Sequence, residues 1–128
     1  MPPAADDGMA RVLIVEDSED VVEALQIVME SAGHYVRTAT TVADALREAN
    51  ADVVDVMLLD LSLPDGDGLD VLRQLDAGPH RPRHTIALTG RDDPAVREAC
   101  LAAGCGDVMI KPVPIRELLR RVGELVAE

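Results

Sequence analysis

The sequence predicts an α/β domain in which one five-stranded parallel sheet, in strand order 2-1-3-4-5, is covered by helices on both faces. Three observations predict it. Strand and helix patterns alternate five times along the chain, the signature of strands joined by crossover helices. Two strand candidates are almost wholly apolar, as strands buried on both faces must be. Four of the five strand candidates run into a residue that carries a carboxylate, a hydroxyl or an ammonium. In an open parallel sheet, ligands bind in the crevice beyond the strands' carboxyl ends, so period, burial and chemistry point to one arrangement.

The elements follow in order. Residues 1–9 (MPPAADDGM) lack periodicity and read as a loose, disordered tail; the domain proper is expected over 10–127. The first strand candidate, 11–15, ends in Val12-Leu13-Ile14-Val15 and leads into Glu16-Asp17. A helix follows with Val21, Val22, Leu25, Val28, Met29 and Ala32 at helical spacing. Ser18 can cap its start, Glu19 and Asp20 suit the positive end of its dipole, and Gly33 suits its stop. The second strand, 35–39, alternates and carries Arg37, so it reads as an edge. Thr41 with Asp44 three residues on resembles a capping box for the second helix. The third strand, 54–60, runs through Val56-Met57-Leu58-Leu59 to Asp60. Asp67 can cap the third helix, which stops at Gly78-Pro79. The fourth strand, 84–89, ends Ile86-Ala87-Leu88-Thr89. Asp93-Pro94 supplies a cap and a first-turn proline for the fourth helix, which stops at Gly104. The fifth strand, 107–111, runs through Val108-Met109-Ile110 to Lys111-Pro112. Pro114 opens the last helix, with Leu118, Leu119, Val122, Leu125 and Val126 on its apolar face. An edge in second place suits the flavodoxin-like (βα)5 three-layer sandwich. In it strands 1, 3, 4 and 5 are neighbours, and they are the four with chemistry at their ends.

At 128 residues this is one domain, large enough for a real core. Tyr35 is the only aromatic residue, so the core is aliphatic and no ring platform exists for stacking bases. The net charge of −12 opposes direct contact with a phosphate backbone. No apolar run approaches the ~20 residues of a membrane span, and no signal segment opens the chain; a cytoplasmic location is expected. No second composition block follows the fifth helix, so no output domain is expected within this sequence. Cys100 and Cys105, the only cysteines, read as reduced, mostly buried thiols, a redox pair being the minor reading.

Glu16, Asp17, Asp60, Thr89 and Lys111 would meet in the crevice. Two carboxylates ~4 Å apart repel by roughly 4 kcal/mol at an effective dielectric near 20. A hard divalent cation relieves that repulsion, and magnesium favours one or two carboxylates plus water and phosphate oxygens. A carboxylate can also act as a nucleophile and form an acyl phosphate. Asp60, closing the most apolar strand, is the best candidate, with Glu16 and Asp17 holding the metal. Lys111 can pair with phosphoryl oxygens as a point charge and Thr89 can donate to another. Lys111 is the chain's only lysine against eleven arginines, yet it stands where a cation is needed. Asp65-Gly66-Asp67 is not a calcium loop, because Leu69 and Asp70 occupy positions that need an oxygen ligand and a glycine. Gly66 and Gly68 do not begin a dinucleotide fingerprint, since Val71 fills the third glycine position; a turn passing close to the metal suits them better.

The segments VLIVEDSED, LLDLSLPDGDGLDVL, IALTG and VMIKP resemble the receiver domain of two-component response regulators over about residues 10–127. The resemblance implies that Asp60 accepts a phosphoryl group from a sensor histidine kinase or histidine phosphotransfer protein. It implies magnesium (or manganese) held by Glu16, Asp17, Asp60 and the Ser62 backbone carbonyl, with Thr89 and Lys111 on the phosphoryl group. It also implies a cis Lys111–Pro112 peptide and a signalling role with self-catalysed phosphorylation and dephosphorylation rather than turnover. The family's usual aromatic switch residue is here Val108, which implies an altered conformational output. Val21, Ala24, Pro112 and Val113 form the expected partner patch, and the last helices offer a weak homodimer contact. Arg116, Arg120 and Arg121 read as a solvated face. Two other readings compete: a receiver-like binding module that works without phosphorylation, and a haloacid-dehalogenase-type phosphohydrolase. The latter wants a second Asp where Ser62 stands.

Overall fold

The computed structural model describes residues 9–75 and 78–127, so the tail expected over 1–9 lies, but for Met9, outside the described residues. The chain runs β1 (Arg11–Val15), α1 (Glu19–Ser31), β2 (Tyr35–Ala39), α2 (Val42–Ala51), β3 (Val56–Asp60), β4 (Ser62–Leu63), β5 (Gly66–Asp67), α3 (Leu69–Leu75), β6 (His84–Thr89), α4 (Pro94–Ala103), β7 (Asp107–Ile110) and α5 (Ile115–Ala127). Five strands form a parallel sheet ordered β2-β1-β3-β6-β7. With the antiparallel pair β4–β5 set aside, this is the order 2-1-3-4-5. That pair has no counterpart in the sequence pattern, because two-residue strands carry no period.

Side-chain alternation along the strands splits the core in two. Leu13, Val15, Met57, Leu59 and Ala87 pack with Ala45, Ala49, Leu72 and Cys100 on the α2–α3–α4 face. Val12, Ile14, Val56, Leu58, Ile86 and Leu88 pack with Leu25, Met29, Leu118 and Val122 on the α1–α5 face. Every residue of β3 is buried, as its apolar run requires. Each such aliphatic side chain contributes about 1.5–3 kcal/mol on burial, which lets a core without rings hold the sheet.

The third strand begins at Val56 rather than residue 54, although the Asp55 backbone still bonds to Arg11 and His84; Asp55 Oδ2 also accepts from the Arg11 amide at 2.8 Å. The β2 edge is closed by Arg37, which donates to the Glu48 carbonyl at 2.7 Å, its carboxylate at 3.0 Å and the Asp52 carbonyl at 3.3 Å. Thr41 Oγ1 accepts from the Asp44 amide at 3.0 Å and Asp93 Oδ1 from the Ala95 amide at 2.8 Å, so both caps form. Gly104 takes the left-handed conformation (φ +103°) that ends α4. Ser18 is the exception: it stands at the α1 N-cap but its side chain makes no cap bond. Its amide instead donates to Glu16 Oε2 at 3.2 Å, turning the loop toward the acidic cluster. Arg121 also departs from the expected solvated face, since it pairs with Asp107 on β7 and with Glu124.

Candidate phosphoryl-transfer site

The carboxyl ends of four neighbouring strands build the site. Glu16 follows β1 directly, and its amide donates to the Ala39 carbonyl on β2 at 3.0 Å. Asp60 closes β3, opposite Leu88 on β6. Thr89 closes β6, opposite Ile110 on β7. Lys111 is one residue past β7, and its amide donates to the Thr89 carbonyl at 2.7 Å. The Lys111–Pro112 peptide is cis.

Glu16, Asp17 and Asp60 each offer one carboxylate oxygen, and these oxygens lie within 4.8 Å of one another. Glu16 and Asp60 are buried and Asp17 is exposed. Lys111 Nζ sits 2.8 Å from Glu16 Oε1 and 3.2 Å from Asp60 Oδ1. Burial of the ammonium opposes its charge. The Glu16 hydrogen bond and the Asp60 and Glu16 charges outweigh that burial and hold Lys111 above its ordinary value. One cation against three carboxylates leaves the cup net negative, with three oxygen donors converging. Such a donor set fits a hard divalent ion that keeps several waters. Asp60 Oδ1 also accepts from the Ser62 amide at 3.1 Å, which orients the carboxylate. Thr89 Oγ1 accepts from the Arg91 amide at 3.1 Å at the mouth of the loop leading to α4.

Gly68 matters more to this site than its sequence position suggests. A Cβ there would lie 2.2 Å from the Asp60 carbonyl oxygen and 2.9 Å from Leu61 Cα, so only glycine lets the hairpin close against the Asp60 backbone. Its amide donates to the Leu61 carbonyl at 2.9 Å. Asp65, which belongs to no calcium loop, has a structural task. Its two oxygens accept from the Val42 and Ala43 amides at 2.8 and 3.1 Å, satisfying the start of α2 from 23 residues away. The acid next to a glycine in a turn is the only local hint of that task.

The other expected residues lie outside the cup. Val108, on β7 opposite Ala87, is half-buried and packs against the α2–α3–α4 core cluster. Val21 and Val113 are half-buried and both pack against the α1–α5 cluster, whereas Ala24 and Pro112 are exposed. A groove of about 560 Å³, lined by Arg11, His34, Tyr35 and Arg37 among others, opens at the amino-terminal end of the sheet, away from this chemistry.

Residues 12–123 match the family model described as the response regulator receiver domain. The transcriptional regulatory protein KdpE of Mycobacterium tuberculosis is 39% identical over 114 residues, covering 89% of this chain and 50% of that protein. The KDP operon transcriptional regulatory protein KdpE of Escherichia coli is 38% identical over 114 residues, with the same coverage. The chain thus spans about half the length of the curated relatives it matches. Among solved structures, a putative response regulator from Chloroflexus aurantiacus superposes with a TM-score of 0.85 at 30% identity, covering 93% of this chain and 98% of that one. The receiver domain of a sensor histidine kinase from Pseudomonas aeruginosa, described with a magnesium ion coordinated in its active site cleft, gives 0.83 at 30% identity, with the same coverage.

Proposed function

The chain belongs to the response regulator receiver domain family, and from that premise we propose that it is a phosphoacceptor module in which Asp60 takes a phosphoryl group from a phosphohistidine. One observation carries the reading: the lone lysine reaches both Glu16 and Asp60 inside a cluster of three carboxylates. Glu16, Asp17, Asp60 and the Ser62 carbonyl would hold magnesium or manganese. The bound ion supplies positive charge to the acceptor and to the phosphoryl oxygens.

The remaining work falls to the chain's own side chains. The Ser62 amide fixes one Asp60 oxygen and leaves the other as nucleophile. Attack of that oxygen on phosphorus forms the acyl phosphate as the donor's P–N bond breaks, and the electron pair returns to the imidazole. Lys111 pairs with the phosphoryl oxygens and the Thr89 hydroxyl donates to one of them. Thr89 Oγ1 also accepts from the Arg91 amide, so a shift of the hydroxyl toward the phosphoryl group pulls on the Gly90–Pro94 loop. Val108 offers no ring to follow that movement, so the loop itself carries the output.

A sensor histidine kinase or phosphotransfer protein is the proposed donor, docking near Val21, Ala24, Pro112 and Val113, in the cytoplasm. Among the described residues, no helix is long and apolar enough to cross a membrane. The net charge of −12 opposes nucleic-acid contact by this domain alone; the relatives it half-covers are named as transcriptional regulators.

Incubation with magnesium and acetyl phosphate tests the proposal. Intact mass should rise by one phosphoryl group, and Asp60→Asn should abolish the gain. Modification that persists in Asp60→Asn, or none in the parent chain, overturns it. Amide NMR shifts on phosphorylation should appear in 89–97 and 108–113; shifts confined to the acidic loops would contradict the output route. Ser62 in place of a second aspartate disfavours the phosphohydrolase reading.

A further inference from the structure

The site chemistry leaves one pair of nucleophiles unused. Cys100 lies in the last turn of α4 and Cys105 just beyond it, and both are buried. The helix ends in a left-handed turn at Gly104, where the Cys105 amide donates to the Cys100 carbonyl at 2.9 Å and the Gly104 amide to the Leu101 carbonyl at 3.1 Å. In this kind of helix end, the side chains flanking the six-residue turn face each other. Here both are thiols, and each perturbs the other's ionisation. The amide bond and covalent geometry cap the Cα–Cα separation at about 6.8 Å, within the span a disulfide bridges. Arg81 donates to the Ala103 carbonyl at 2.8 Å and to the Leu72 carbonyl at 3.2 Å, setting a guanidinium beside the turn.

We propose that Cys100 and Cys105 are a redox-modifiable pair that closes an intramolecular disulfide across the α4–β7 turn under a peroxide oxidant. One thiol gives up its proton and the thiolate attacks a peroxide oxygen; the O–O bond breaks, the departing hydroxide takes up the released proton as water, and a sulfenic acid remains. The second thiolate then attacks the sulfenic sulfur, the S–O bond breaks, and a second water leaves. Burial sets the rate: it pushes the Cys105 thiol up to about 12 and raises Cys100 as well, so reaction follows opening of the helix end rather than attack on the closed form.

The full chain, folded and without denaturant, is treated with hydrogen peroxide, then unfolded, alkylated and weighed. The expected result is a fall from two alkylatable thiols to none, a mass lower by two hydrogens, unchanged helical ellipticity and full reversal by dithiothreitol. Cys100→Ala and Cys105→Ala should each abolish the reversible loss of mass. Retention of both thiols in the folded protein, oxygen addition without cross-linking, or disulfide-linked dimers as the sole product would overturn the proposal. If an alanine variant fails to fold, peptide mapping of the oxidised parent decides, by the presence or absence of a Cys100–Cys105 linked fragment.

Discussion

Replacing Asp60 by asparagine should stabilise the metal-free domain while abolishing phosphorylation. The Asp60 oxygen lies within 4.8 Å of an oxygen on Glu16 and one on Asp17. At an effective dielectric near 20, each repulsion is about 3.5 kcal/mol or more, together about 7. Against this stands the Lys111 attraction at 3.2 Å, about 5 kcal/mol on the same scale. The net relief is about 2 kcal/mol. Exposure of Asp17 and partial exposure of Lys111 screen it, leaving about 1 kcal/mol. The amide oxygen of asparagine can still accept from Ser62, so the local geometry survives. For a domain of this size the gain corresponds to about 3–5 °C in melting temperature. Thermal or urea melts in chelator should show it. Adding magnesium should reverse the ranking, because an ion at 100 times its dissociation constant adds about 2.7 kcal/mol to the parent and less to a variant with one carboxylate fewer. Asp60→Asn that is less stable than the parent in chelator, or stabilised equally by magnesium, would refute the electrostatic account of the cup.

Three further outcomes follow from the same structure. Lys111→Met strips the ammonium from two buried carboxylates, so metal-free stability should fall by about 3 kcal/mol and acetyl-phosphate labelling should slow; unchanged stability in chelator would count against the pairing. Gly68→Ala drives a methyl group into the Asp60 and Leu61 backbone, costing about 2–3 kcal/mol in urea denaturation and weakening magnesium binding at the displaced Asp60; a variant as stable as the parent would show that the hairpin yields. His34 is buried, accepts from the Ala10 amide through Nδ1 at 2.9 Å, and burial lowers it from 6.5. The unfolded chain therefore binds the proton first, so this contribution is complete above pH 6.5 and is lost as pH falls through the lower folded value; an imidazole NMR titration centred above 6.5 would contradict it.

The signals that proved readable are those a short stretch of chain carries by itself. The run ending at Asp60 is apolar because β3 is covered on both faces, and Arg37 within an alternating run marks an edge. Thr41 with Asp44 and Asp93 with Pro94 are cap patterns contained within a few residues. Convergence of Glu16, Asp17, Asp60 and Lys111 needed one further premise, that parallel strands end on the same side. The interactions that escaped the reading join a side chain to a distant backbone. Asp65 meets the start of α2, Arg81 meets the carbonyls of Leu72 and Ala103, and His34 meets Ala10. None has a period, because each depends on where the sheet carries two loops after it has formed. Ser18 fails in the instructive direction. Its local pattern asks for a helix cap, yet its side chain makes no cap bond, while its amide donates to Glu16 Oε2. Local preference yields in the loop that gathers three carboxylates, where the lost cap, about 1 kcal/mol, adds to a mutual repulsion that Lys111 only partly offsets and that a bound divalent ion would relieve.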